Sequence, residues 1–389
     1  MKTKETNATW KKVRKLFNDI HLWMGIGAGL ILFVVCLTGT IYTFSSEIQE
    51  LLDPEKYEIS VQPGTELLSA EAIAQRVEQA LPEGKVTTLR IPADEARSYE
   101  VSVRKEGERR GTTYLVDPYT AEIKGTTKGA GSEFFMIVFR LHRWLLLDTE
   151  IGRPIVGVAT LIFVFIILTG LIIWFPQRLK SWKQGLRIKF SGSRKRTNHD
   201  LHNALGFYSS LLLLVMALTG LQWSFEWYRT GLYNVLGVER NRPAEEFDIK
   251  PEAGNSLLVA DFLRIADEQL PYEGDYRISL PDEPQKPVAI TKYQTGFFAP
   301  STGDALKLDP YTGEVLTLEV FSQKPWNEQI ARSIKALHMG TFYGTFSKII
   351  YFIACLIATS LPVTGTIIWI NKLRKKAKRK ASPQKTQLA

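Results

Sequence analysis

The sequence predicts an α-helical membrane protein: four transmembrane helices from a duplicated two-helix unit, with two small extracytoplasmic α+β modules. Three observations carry this reading. Four runs, 22–46, 155–177, 201–225 and 349–371, contain no charged residue. Basic residues gather at one set of their ends. The two halves of the chain repeat one another in histidines, Thr-Gly steps and an Asp-Pro-Tyr-Thr motif.

The runs come first. A helix rising about 1.5 Å per residue needs roughly 20 residues to cross about 30 Å of hydrocarbon. Every one of the runs exceeds that length. An apolar content of 45% is ordinary for a globular chain; the clustering is what carries information. The first run exceeds a signal-peptide core, and Tyr42, Phe44 and Glu47 stand where cleavage would fall. It reads as a retained span.

Charge sets the orientation. The net charge is +9, but residues 1–20, 176–200 and 371–389 hold 22 of the 49 Lys and Arg, against only Glu5, Asp19 and Asp200. Basic flanks stay on the cytoplasmic side, so both termini and the middle loop are expected there. The same distribution excludes nucleic-acid binding, because the basic residues flank apolar spans and do not share one soluble surface. Lipid is the implied partner.

The expected order follows. A basic N-terminus (1–20) leads into span one (21–46), a first module (47–131), an interfacial helix (132–151) and span two (152–177). A basic loop (178–200) leads into span three (201–228), a second module (229–325), an interfacial helix (326–345), span four (346–371) and a basic tail (372–389). Within the modules, helical stretches at 70–81 and 257–270 precede alternating strands such as 99–103. The turns Asp117-Pro118-Tyr119-Thr120 and Asp309-Pro310-Tyr311-Thr312 join later strands.

The repeat is specific in register. The interval from His21 to Thr38-Gly39 equals that from His202 to Thr219-Gly220. At the same offset Gly25 matches Gly206 and Leu32 matches Leu213, a single helical stripe below the histidine. Spans two and four match at Thr169-Gly170 and Thr364-Gly365. His142 and His338 lie upstream of these steps at intervals that differ by a single position.

Only five histidines occur: His21, His142, His199, His202 and His338. The topology puts His21 and His202 near the cytoplasmic face, and His142 and His338 near the outer face. Each pair brings two imidazoles from different helices to one depth, as bis-histidine ligation of haem iron requires. Zinc fits less well, since no carboxylate or thiol accompanies either pair. His199 has no histidine counterpart; it reads as a surface residue or as the ligand in place of His202. Glycine in the Thr-Gly steps reads as room for a flat macrocycle or as close helix packing. Gly25-Ile26-Gly27-Ala28-Gly29 lies within a span and reads as helix packing, not as a nucleotide fingerprint. Arg140 and Arg143 flank His142, as interfacial anchors or as partners for haem propionates. Cys36 and Cys355 form no metal or haem-attachment pattern and read as small core residues.

At these residues the sequence resembles the PepSY-associated transmembrane family, also known as iron-regulated membrane proteins. The resemblance rests on Leu141-His142-Arg143 with Gly152-Arg153, Leu337-His338, the Thr-Gly span ends and the two Asp-Pro-Tyr-Thr segments, which resemble PepSY domains. It covers about residues 10–375. It implies a bacterial inner-membrane protein, and some members are haem b ferrisiderophore reductases. By that resemblance His21 and His202 hold one haem b and His142 and His338 another, non-covalently. Electrons would pass from a cytoplasmic or quinol donor to a ferric siderophore or other periplasmic acceptor, an oxidoreductase activity. The middle loop, 178–200, is too small for a nucleotide domain. Two other readings compete: an anchored PepSY module that binds a periplasmic peptidase or cell-envelope partner, and a repeat-built transporter.

Overall fold

A computed structural model describes residues 2–61, 64–108, 110–176, 182–240, 245–251 and 256–381. The part of the basic loop at 177–181 and the tail beyond 381 lie outside the described residues. In chain order the helices and strands are α1 (Lys2–Tyr42), α2 (Ser45–Leu52), α3 (Pro54–Tyr57) and α4 (Ala70–Ala80); β1 (Gly84–Ile91), β2 (Tyr99–Lys105), β3 (Thr112–Val116) and β4 (Ile123–Thr126); then α5 (Ser132–Trp144), α6 (Thr149–Trp174), α7 (Trp182–Gly185), α8 (Arg194–Gly220) and α9 (Glu226–Leu236). They continue with α10 (Val259–Gln269), β5 (Gly274–Ser279), β6 (Val288–Gln294), β7 (Asp304–Leu308), β8 (Val315–Glu319), α11 (Trp326–Met339) and α12 (Gly344–Ala381).

Four helices, α1, α6, α8 and α12, are long and apolar enough to cross a membrane, with mean hydropathy of 1.9 to 2.9 in their apolar windows. α1 and α12 run unbroken through the flanking basic segments, because Lys and Arg are good helix formers and nothing there breaks the ladder. The third span stops at Gly220 and passes through a short 3-10 turn, Leu221–Trp223, before α9. The matched positions Leu30 and Leu211 are 77% and 71% exposed on the bundle surface. Large apolar side chains in that setting require lipid as their solvent.

α1 and α8 each pack against both α6 and α12. They therefore occupy one diagonal of a four-helix bundle, and α6 and α12 the other. Small residues seat the contacts: Ala28 and Leu32 of α1 bury against Ala159 of α6, and Ile167 and Leu213 against Ala354 and Ala358.

The two extramembrane segments do not stand as separate modules. Their strands join in one antiparallel sheet of order β4-β3-β2-β1-β5-β6-β7-β8, symmetric about the β1–β5 pair. Two edges that would otherwise be unpaired meet there and satisfy each other's backbone groups. One core serves both halves: Leu89, Val101, Ile278 and Ile290 lie under Ile73 and Val77 of α4 and Phe262 and Ala266 of α10. The Asp-Pro-Tyr-Thr turns are built alike. Asp117 Oδ1 accepts from the Tyr119 and Thr120 amides (2.7 and 3.1 Å), and Asp309 Oδ1 from the Tyr311 and Thr312 amides (2.8 and 3.1 Å). One buried charge is specific to the second half. Lys292 donates to Asp267 (2.5 Å) and the Leu270 carbonyl (2.8 Å), between the Tyr272 and Tyr276 rings. Burial, joined by the Asp304 and Asp267 carboxylates, pushes both tyrosine hydroxyls well above their usual range.

The halves are also latched through their helices. Ser69 caps α4, its hydroxyl accepting from the Ala72 amide at 3.2 Å. Leu258 stands at the equivalent position of α10 and has no acceptor to offer. Glu71 of α4 supplies it, its carboxylate accepting from the Val259 amide. Replacing Glu71 with Ala is expected to destabilise the fold by about 1 kcal/mol, with Glu71→Gln close to the parent. Denaturant unfolding of the detergent-solubilised protein measures this; an unchanged Ala variant means that the latch contributes nothing.

Candidate functional site

The structure brings the histidines together in two pairs. The rings of His21 and His202 lie 6.4 Å apart between centroids at an interplanar angle of 86°, and those of His142 and His338 lie 6.3 Å apart at 55°. His21 and His202 come from the diagonal helices α1 and α8. His142 and His338 come from α5 and α11, which lie at the sheet end of the bundle.

One local construction holds all four rings. Each imidazole is turned so that Nδ1 meets the backbone carbonyl one turn before a Thr-Gly threonine, and the threonine hydroxyl. His21 Nδ1 donates to the Ile166 carbonyl (3.0 Å), with Thr169 Oγ1 at 3.1 Å. His142 Nδ1 donates to the Val35 carbonyl (2.9 Å), with Thr38 Oγ1 at 3.4 Å. His338 Nδ1 donates to the Met216 carbonyl (2.9 Å), with Thr219 Oγ1 at 3.4 Å. His202 Nδ1 meets Thr364 Oγ1 (2.9 Å), whose own hydrogen goes to the Ser360 carbonyl (3.1 Å).

A carbonyl oxygen can only accept, so Nδ1 carries the proton. The threonine hydroxyls agree with this. Each spends its own hydrogen on a carbonyl of its helix, as Thr169 does on Phe165 (2.7 Å) and Thr219 on Val215. A lone pair is then left for the histidine. Nδ1 fixed as a donor leaves Nε2 with its lone pair free, the tautomer a metal ligand needs.

The glycines of the Thr-Gly steps make room for these rings. A Cβ at Gly39, Gly170 or Gly365 would lie 3.2 Å from Cε1 of His142, His21 or His202 respectively, and at Gly220 it would lie 2.9 Å from Cε1 of His338. The edge of an imidazole, and not a neighbouring helix backbone, takes that space. α1 and α8 thus present a histidine or a Thr-Gly seat at each end, while α6 and α12 supply the remaining seats.

Beside the His21–His202 pair lies a cavity of about 240 Å³, lined by the stripe Gly25, Leu32, Gly206 and Leu213. A Cβ at Gly25 would meet nothing within 4 Å. That glycine therefore keeps space open and does not serve helix packing, in contrast to the sequence expectation; Ala28 makes the close contact. His199 borders the cavity but joins no ring pair. Its side chain is 61% exposed beside Asp200, at 3.5 Å. The geometry pairs His21 with His202. At the sheet end, the Trp223 ring lies 5.0 Å from that of His338, and the Arg143 guanidinium lies over Phe139 and Trp144. Arg143 has no carboxylate partner among the described residues, and Arg140 is exposed.

These features fit a metal held between two imidazoles. Two nitrogens each about 2 Å from a shared metal, with ring centroids about 1 Å behind them, place the centroids about 6 Å apart. Among the described residues no three His, Cys, Asp or Glu side chains gather to enclose a bare ion. Two imidazoles so placed would suit a group that brings its own further donors, such as a porphyrin.

Residues 19–372 match the family model described as PepSY-associated TM region. The chain belongs to this family. No curated protein matches it. The matched span takes in all four histidines of the two pairs and the whole sheet.

Gly220 is the tightest seat. Gly220→Ala is expected to displace the His338 ring and to cost about 1–3 kcal/mol as an overpacking change. Thermal unfolding in detergent measures it, with Gly27→Ala, where a Cβ meets nothing, as the control. Equal stability of the two variants would contradict the seating.

Proposed function

We propose that the chain is a haem b-containing transmembrane electron-transfer protein of a bacterial inner membrane, built by duplication, that reduces ferric chelates such as siderophores on the sheet side. The observation that carries this is the repeated seat. Four histidines from four helices each spend Nδ1 on a carbonyl or hydroxyl and leave Nε2 to a partner, with ring centroids 6.4 and 6.3 Å apart.

His21 and His202 would hold one haem on the basic, cytoplasmic side, and His142 and His338 another on the periplasmic side. When bound, haem b supplies a one-electron couple at each pair. The chain's own residues do the rest. The Thr-Gly seats fix ring orientation and ligand basicity. The Gly25–Leu32 and Gly206–Leu213 stripe keeps the inner site apolar and dry. Arg143, next to His142 in the chain, offers a positive charge to an acidic edge of the cofactor. One electron from a quinol or cytoplasmic donor converts bound Fe(III) to Fe(II), which hard oxygen chelators hold less tightly. The sheet halves are PepSY-like modules, and both termini are cytoplasmic. A purely anchoring role would leave two matched histidine sites with nothing to do.

The test is spectroscopic. Protein expressed with haem supplied and purified in detergent is expected to show reduced-minus-oxidised Soret and alpha bands. His142→Ala or His338→Ala should remove one haem and leave the other, and His199→Ala should remove neither. Absence of the bands would sink the electron-transfer reading, and loss of both haems in the single variants would reject the pairing.

A further inference from the structure

The sheet has a second face. Core residues alternate with polar ones along its central strands. Opposite Leu89, Val101 and Ile278 stand Thr88 and Arg90 of β1, Glu100 and Ser102 of β2, and Asp275 and Arg277 of β5. This face roofs a polar cavity of about 600 Å³, inside the range of small-molecule sites. The cavity is walled by the loop 294–301 and floored by Gly344 and Thr345 at the start of α12. Wall and floor touch. Gly344 has φ +56, and a Cβ there would lie 2.9 Å from the carbonyls of Phe297 and Ala299. Thr341 Oγ1 donates to Ser301 Oγ at 3.2 Å. A single short loop, 340–343, links this floor to the helix that carries His338.

Two arginines sit at its centre, and their states differ. Arg90 is held on both sides, by Glu100 (3.1 Å) and Asp275 (3.3 Å). Arg277 lies directly opposite it across the β1–β5 ladder, yet is exposed and has no ion-pair or hydrogen-bond partner among the described residues. Like charges directly opposite in a sheet are destabilising. Asp275 does not relieve this, since its Oδ1 accepts from the Ala93 amide (3.0 Å) and its Oδ2 takes Arg90. A guanidinium with no partner among the described residues thus stands in a cavity lined by hydroxyls and by the ion-paired Arg90, Glu100 and Asp275.

We propose that this cavity binds an anionic, oxygen-rich small molecule whose carboxylate or equivalent oxyanion is taken by Arg277. Resting on the electron-transfer reading, the ligand is the acceptor itself: a negatively charged oxygen-donor chelate of ferric iron. A guanidinium gives two parallel N–H donors to such a group, and the hydroxyls of Thr88, Ser102 and Ser301 suit its remaining oxygens.

The test separates binding from reduction by using redox-inert gallium. Calorimetric titration of the full-length protein in detergent with gallium(III) citrate should show saturable binding. Arg277→Gln should weaken it about tenfold to a hundredfold, and Arg277→Lys should recover part of the loss. Arg104→Gln, a charge loss on the same sheet face outside the cavity, should leave it unchanged. The gallium complex of a cationic trihydroxamate should bind more weakly than the citrate complex. Arg277→Gln should also unfold no earlier than the parent, since a like-charge contact is removed; an arginine serving the fold would give the reverse. No saturable binding to the parent protein, or binding indifferent to Arg277, overturns the proposal. If haem bands are absent but Arg277-dependent binding persists, the electron-transfer reading falls and the site stands. If the bands are present and binding is not, the site alone falls.

Discussion

The structure depends on one contact made four times, the hydrogen bond from a histidine Nδ1 to an acceptor at a Thr-Gly step, the carbonyl one turn before it or the threonine hydroxyl. A helix carbonyl already accepts from an amide one turn on, so an added donor must approach its second lone pair from the side. That approach brings the ring edge against the next turn of the helix, where any side chain would collide. Glycine is needed there, and threonine beside it, its hydrogen committed to the preceding turn, supplies a second acceptor. The contact therefore explains three residue types at once. It also explains the bundle: each histidine must reach a seat on another helix, and α1 and α8 carry both a histidine and a seat, one near each end.

The same constraint makes the two halves mutually dependent. His21 and His202 stand on helices at opposite corners of the bundle. Their seats lie on α6 and α12, each of which packs on both of those helices. The pair is positioned by the other diagonal of the bundle and not by its own. At the sheet end the relation reverses, and α1 and α8 provide the seats. Above them the sheet is continuous through β1 and β5, and Glu71 caps a helix of the other half. The two halves share both histidine pairs and a core layer, so neither half completes a pair without the other.

Much of this was legible in the sequence. Charge-free runs long enough to cross a bilayer marked the spans, and the equal spacing from histidine to Thr-Gly in the two halves placed each step near the opposite histidine pair. The role of the glycine was not legible. Periodicity places Gly39 on a face but does not say whether a ring, a macrocycle or a backbone meets it. The stretch from Gly25 to Gly29 reads as packing because small residues usually mean close approach, but at Gly25 the small residue preserves a void. Fusion of the modules was hidden for a different reason. A strand pattern identifies its buried face and not its neighbour, so nothing in Val86 or Ile278 announces that β1 pairs with β5. Arg90 and Arg277 were readable only as ordinary solvent-facing positions of alternating strands. Their opposition across the central ladder, and the cavity beneath them, exist only once the register is known. His199 shows the limit of counting histidines. It lies one turn from His202 on a similar face, yet it points to Asp200 and the surface.

The central claim is the fixed tautomer. The direct measurement is nitrogen NMR of the protein labelled at histidine, recorded under reducing conditions and mildly alkaline pH, where the result does not depend on whether iron is bound. The account predicts that four of the five histidines carry their proton on Nδ1 and none on Nε2, with His199 alone behaving as a solvent-exposed imidazole. Protons on Nε2 at His21, His142, His202 or His338 would contradict it, because that nitrogen could then serve no metal.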